Sequence, residues 1–464
     1  MSDSIVDRLS QYAAQLQYDD LPPEVVHQAK RVLLDSLGCG LGAFTSDPVK
    51  IAREMASVVS GGPMSTILGT TTRTTPDLAA FTNGLMVRYL DFNDAAIGGH
   101  ASDNFAAVLA AAEAHGASGQ DLITGCVLAY EVQATWGRSF ELRQTVWDQA
   151  VYAASSIPLG VGKVMGLSRE QLAEALRISV VGSMALNETR RGALSYWKAA
   201  AVPNTGRNAV FAATLASQGF TGPEAIFEGT QGFFAGVTGQ PVELVPLAGE
   251  DGNSQPFRIL ESRIKRFPSG IQAQTALEAT LEARRELGLT NGRGVREVSI
   301  RTTEQSIFSM AGHPSRWRPR TRETADHSLP YVIACALEFG SVKPAHFSED
   351  LWESLEMVEL MQKINVEADP ECQTAWPEAN PAIVTLATTD GRAQQVRVDY
   401  HTGHPRKPMD DAEVEKKFRG VTAGLLSEGD QTKALAVLWR IDELSNPREA
   451  LEQLVVQPRE RGNW

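Results

Sequence analysis

From Ser4 to about residue 240 the chain repeats one pattern: apolar residues at helical spacing, broken only by short runs of Gly, Pro, Ser or Asp. So long a stretch with the 3.6-residue period cannot be laid into a sheet, and it predicts a large all-helical domain. Asp20-Leu21-Pro22-Pro23-Glu24 opens one helix through a first-turn proline, and Val26, Ala29, Val32, Leu33 and Leu37 follow on one face. Ser118-Gly119-Gln120-Asp121 opens another that runs through Cys126 and Tyr130, and Ser102-Asp103-Asn104 is expected to cap the run from Phe105 to Ala114. The alanine runs at residues 110–112 and 199–201 let helices cross closely.

Near Glu261 the texture changes. Residues 296–302, 382–387 and 395–400 alternate apolar and polar side chains, and Thr389-Asp390-Gly391 joins the last two as a hairpin. Helical segments at 328–339 and 352–364 lie between, which makes a small α+β unit. After Gly403-His404-Pro405 the helical pattern returns at 411–418, 431–441 and 447–454. The tail therefore rejoins the helical domain: residues 1–262 and 403–464 form it, and 263–402 form an inserted α+β domain. A chain of 464 residues is long enough for two such cores.

The formal charge of −13, from 43 basic and 56 acidic residues, argues against nucleic acid or an anionic membrane as the main partner. The segment Met1 to Asp7 has no basic n-region, and no window nears the roughly 20 apolar residues needed to span a bilayer, so a cytoplasmic protein is expected. Cys39, Cys126, Cys335 and Cys372 form no Cys-x-x-Cys pair and have no His at ligand spacing, which gives no sign of a disulfide framework or a zinc site. Gly160-Val161-Gly162-Lys163 looks like a dinucleotide fingerprint but lies inside a small-residue helical run with no strand before it.

Several segments carry chemistry. Asn83 to Asp94 followed by Gly98-Gly99-His100 places Asp91, Asp94 and an imidazole on one short stretch, the equipment for proton transfer near neutral pH. The helix carrying Tyr89-Leu90-Asp91 is expected to end near Asn93-Asp94, so that His100 folds back over Asp91; turn chemistry alone would equally explain Asx residues at a helix end. Lys198 sits among Tyr196, Trp197 and alanines, where a lysine either reaches the surface or meets an anion. Arg263-Ile264-Lys265-Arg266-Phe267-Pro268 offers cations at the domain junction, suited to a carboxylate or to a solvated edge. In Asp326-His327-Ser328-Leu329-Pro330-Tyr331, capping explains Asp326 or Ser328 but leaves His327 and Tyr331 without an account.

Taken in order, Leu33 to Gly38, Asn83-Gly84, Leu90 to Asp94, Trp197-Lys198, Lys265 to Pro268, Ala325 to Tyr331 and Gly403 to Arg406 resemble the MmgE/PrpD family along nearly the whole chain. The resemblance implies a homodimer in which the inserted domain is a lid over an active site in the cleft, with metal-independent chemistry and no cofactor. It implies a lyase acting on a small di- or tricarboxylate, foremost the dehydration of a 2-methylcitrate-like acid. Epimerisation of an iminodisuccinate-like acid, decarboxylation of a cis-aconitate-like acid and carboxylate binding without catalysis are the alternatives. Carried over by motif, Asp91 and His100 are the acid/base pair, Lys198 and Tyr331 complete the catalytic set, and Lys265, His327 and Asp94 bind substrate; Gln149, where the family often has His, is placed with the binding residues. Asn93, Ala95, Gln149 and Gly270 depart from the family pattern, and they leave the particular acid and reaction open.

Overall fold

A computed structural model describes residues 4–59, 61–142 and 146–457; Met1, Ser2 and Asp3 of the N-terminal segment read above lie outside it. The chain divides into two compact units. The larger holds residues 1–189, 199–263 and 410–464, and the smaller holds 190–198 and 264–409. The second boundary therefore falls seven residues later than the expected 402/403. Arg190–Lys198 also belongs to the smaller unit, which moves Lys198 out of the helical unit to which the sequence had assigned it.

In the larger unit the predicted helices form at Pro23–Gly42, Phe105–His115, Gly119–Ser139 and Ala150–Val164. Their faces are almost wholly buried, because alanine and glycine let backbones approach. A Cβ added at Gly160 would lie 2.7 Å from the Gly125 carbonyl oxygen and 3.0 Å from the Ala129 Cβ. The glycines of the fingerprint-like run are thus spent on a helix crossing, not on a phosphate. Ser118 and Asp121 form the expected capping box. Asn104 makes no side-chain cap, however; residues 101–104 form a 3-10 turn ahead of Phe105. The tail helices Asp411–Thr422 and Glu428–Leu438 complete this unit. Among the described residues, no helix is long and apolar enough to cross a membrane.

The smaller unit is built on a four-stranded sheet in the order Ile364–Ala368, Val295–Thr302, Ala382–Thr388, Ala393–Val398. The first pair is parallel and the other two are antiparallel. Helices Gln274–Glu286 and Leu329–Phe339 share its apolar core, with Val298, Ile300, Val384 and Leu386 on the buried face. One expectation fails here: residues 352–364 are not one helix. Two short helices, Glu349–Trp352 and Leu355–Met361, precede a strand that begins at Ile364, where Val298 N donates to Lys363 O at 2.9 Å.

Candidate active-site residues

In the larger unit the helix Pro76–Tyr89 stops earlier than the sequence suggested. Leu90 is its C-cap, and Asp91 turns into the left-handed region at φ 50°, the one described non-glycine residue with positive φ. Asp and Asn tolerate that conformation better than other side-chain-bearing residues. The turn swings the Asp91 carboxylate back to Arg88, whose Nη1 donates to Asp91 Oδ1. Arg88 Nε also lies 3.5 Å from Asp103 Oδ2, so one buried guanidinium serves two buried carboxylates.

The loop that follows is set by backbone geometry. Ala96 and Gly99 exchange N–H···O bonds of 2.7 and 3.1 Å, and Gly98 and Gly99 take φ of 89° and 108°. A side chain at position 99 would be strained at that φ, and its Cβ would lie 2.5 Å from Gln149 Oε1. The half-buried Gln149 thus lies against the residue preceding His100. His100 Nδ1 is 2.6 Å from the Asp94 carbonyl oxygen. A carbonyl only accepts, so Nδ1 carries the hydrogen and the neutral ring keeps its lone pair on Nε2. Nε2 is 3.8 Å from Asp91 Oδ1, too long for a hydrogen bond.

Further contacts hold the loop. Tyr130 donates its hydroxyl to Asp94 Oδ2 at 2.6 Å, and burial together with Asp94 keeps the phenol protonated far beyond its ordinary range. Asn93 donates to Ser102 Oγ at 2.9 Å and to Asp103 Oδ1 at 2.8 Å, which an aspartate there could not do unless protonated. Lys417, from the tail, donates to Phe92 O at 2.7 Å and pairs with Asp35 Oδ1 at 2.6 Å. Asp35 belongs to the Leu33–Gly38 segment and is the residue through which that segment grips the loop.

The smaller unit holds the cations. Lys198, 2% exposed, pairs through Nζ with Asp326 Oδ1 at 2.6 Å, so it does not reach the surface. His327 Nδ1 meets the same oxygen at 2.7 Å, and Arg322 Nη1 meets Oδ2 at 3.0 Å. Burial works to raise the Asp326 carboxyl, but Lys198, His327 and Arg322 outweigh it and hold it below the usual carboxylate range. Ser269 Oγ and Gly270 N both donate to the Asp326 carbonyl, at 2.8 and 3.1 Å, which ties the Phe-Pro turn to this cluster. Lys265, four residues before Ser269, is fully buried.

Tyr331 is placed differently from the expectation. Ser328, not Asp326, caps its helix by accepting from Tyr331 N at 3.1 Å. The Tyr331 ring packs beside Phe347 and Trp352, with no exposed surface, and its hydroxyl donates to the His346 carbonyl. Burial and that bond anchor the ring in the core of the smaller unit. Conversely, Arg88, Asp103, Lys417 and Asp326 were missed, although the spacing of Arg88 three residues before Asp91 was available to be read.

The MmgE/PrpD N-terminal domain matches residues 7–244 and the MmgE/PrpD C-terminal domain matches 267–443. Among curated proteins, "2-methylcitrate dehydratase" of Escherichia coli O157:H7 is 30% identical over 458 residues, covering 91% of this chain and 90% of its own length. "Probable 2-methylcitrate dehydratase" of Saccharomyces cerevisiae is 27% identical, covering 81% of this chain and 77% of its own. "Cis-aconitate decarboxylase" of Homo sapiens is 25% identical, covering 96% and 93%.

Proposed function

The chain belongs to the MmgE/PrpD family, and from that premise we propose that it dehydrates a small hydroxy tricarboxylate of the 2-methylcitrate type. The reading rests on one observation above the others: the His100 ring, fixed at Nδ1 by a carbonyl, turns a basic Nε2 toward a buried carboxylate. Nε2 takes the proton alpha to a substrate carboxylate, and Asp91 stabilises the imidazolium that results. The C–H electron pair passes into an enolate-like dianion, whose charge Lys198 and Lys265 offset. That pair then forms the C=C bond as the β C–O bond breaks. The imidazolium of His327, oriented at Nδ1 by Asp326, protonates the departing hydroxide to water. Gln149 and Asp94 shape the His100 side of the substrate, and Tyr331 serves only to hold the helix that follows His327.

The same residues support a second reading, favoured by the match to a protein named for cis-aconitate decarboxylation: loss of CO2 and protonation of the carbanion. Incubating 2-methylcitrate, citrate, cis-aconitate and iminodisuccinate with the protein in D2O and a chelator separates the reactions by proton NMR. Dehydration gives an unsaturated acid, decarboxylation releases CO2, and epimerisation gives a deuterated stereoisomer of the starting acid. Turnover that survives the chelator supports the metal-independent form of the proposal. We further take the protein to be a cytoplasmic homodimer, which light scattering and cell fractionation test.

A further inference from the structure

Arg316 is a buried charge that the reading above does not use. It ends the 3-10 turn Pro314–Arg316 in the smaller unit and is 4% exposed. Its Nη1 is shut off from solvent, and among the described residues no oxygen accepts from its guanidinium. A buried ion without a partner is one of the costliest features a fold can carry.

The neighbouring groups do not satisfy it. Its one resolved electrostatic partner is Asp326, which opposes the downward push of burial on the guanidinium. The Asp326 oxygens are already taken by Lys198, His327 and Arg322. Lys198, Arg316 and Arg322 all lie in the field of the ionised Asp326 carboxylate. Glu323 does not supply an acceptor: burial raises its carboxyl toward the neutral form, and its Oε1 also lacks a partner. Arg316 Nη1 is thus left without an acceptor beside a carboxylate whose oxygens are occupied.

We propose that Arg316 is a substrate-binding residue whose guanidinium receives one carboxylate of a tricarboxylate, and that it selects such acids over dicarboxylates. The inference rests on the carboxylate reading above. A planar fork of donors fits a carboxylate in two parallel bonds, which a lysine does not reproduce. The backbone at this position is held independently, because Ser328 Oγ donates to the Arg316 carbonyl. Changing the side chain leaves that tie in place.

The test is calorimetric titration of the purified full chain with propane-1,2,3-tricarboxylate, which lacks the leaving hydroxyl, and with succinate, alongside thermal melting. Wild type is expected to bind the tricarboxylate more tightly. Arg316→Met is expected to weaken tricarboxylate binding by about 10- to 100-fold, to leave succinate binding within about threefold, and to melt no lower than wild type without ligand. A residue kept for structure would do the opposite, and a lowered ligand-free melting temperature with unchanged tricarboxylate affinity overturns the proposal. If Arg316→Met does not fold, Arg316→Lys decides: weakened tricarboxylate binding supports the assignment, and wild-type affinity overturns it. A wild-type protein that binds neither acid overturns the carboxylate reading itself, an outcome distinct from a wild type that binds while both variants match it.

Discussion

The loop from Asp91 to Asn104 in the larger unit and the segment from Arg316 to Ser328 in the smaller one both bury charge, and they do so by opposite rules. In the loop, Arg88 is shared by Asp91 and Asp103, and the imidazole of His100 stands beside the pair. Position there comes from backbone, through a left-handed Asp91, two glycines and a carbonyl that fixes the His100 ring. In the segment, position comes from ion pairs centred on Asp326. A proton acceptor needs a fixed direction and an anionic neighbour; a carboxylate site needs buried cations.

Breaking the ion-pair region has the largest effect. Lys198→Met removes a buried partner of Asp326, and denaturant unfolding should show a loss of about 3–5 kcal/mol together with loss of turnover. Arg316→Met, in the same cluster, should cost no stability, and a matching loss in both variants would erase the distinction drawn between a paired and an unpartnered cation. His100→Ala should act on activity alone, lowering kcat by about 10²- to 10⁴-fold while the melting temperature holds. A large drop in melting temperature would instead assign His100 to structure.

A third buried charge sharpens the contrast by pH. Glu131 accepts from Ala248 N at 2.8 Å and Arg258 N at 2.7 Å, and its carboxyl is pushed up to about 7 by burial, against the pull of those bonds. A carboxyl raised in the folded state stabilises the fold below its unfolded value near 4.5, and that contribution is lost as pH rises through about 7. Wild type should lose on the order of 3 kcal/mol across this window relative to Glu131→Gln, whose side chain does not titrate. Parallel unfolding curves for the two proteins between pH 4.5 and 7.5 would contradict it. The smallest effect is expected at the loop backbone: Gly99→Ala should cost about 1–3 kcal/mol from its φ of 108° and crowding against Gln149, with activity falling as His100 shifts.

Local patterns carried much of the fold in the sequence, and long-range pairing carried the rest. Pro22-Pro23, the Ser118–Asp121 box and the Asp390-Gly391 hairpin are decided by neighbours a few residues away, and each forms. The strand Ile364–Ala368 is missing from the sequence reading, which ends a helix at Ile364, because its parallel partner lies more than 60 residues earlier, although Ile364 and Val366 do alternate. The site divides the same way. Asp91 and His100 share a short segment and were legible together, whereas Asp326 read as a cap because its partner Lys198 is 128 residues away. Nothing local to Tyr331 shows that its hydroxyl bonds to the His346 carbonyl, 15 residues on. Lys198 itself fell in the smaller unit, since the chain between residues 190 and 198 is held there by Thr321 and Thr324 bonding to Leu194.

Proton NMR of 2-methylcitrate incubated with wild type and with His100→Ala, in D2O and excess chelator, tests the central assignment. Wild type should convert the acid to an unsaturated product as the proton alpha to the carboxylate is lost, and His100→Ala should leave its resonance essentially intact over the same period. Equal loss of that resonance with both proteins would contradict the role given to the His100 Nε2.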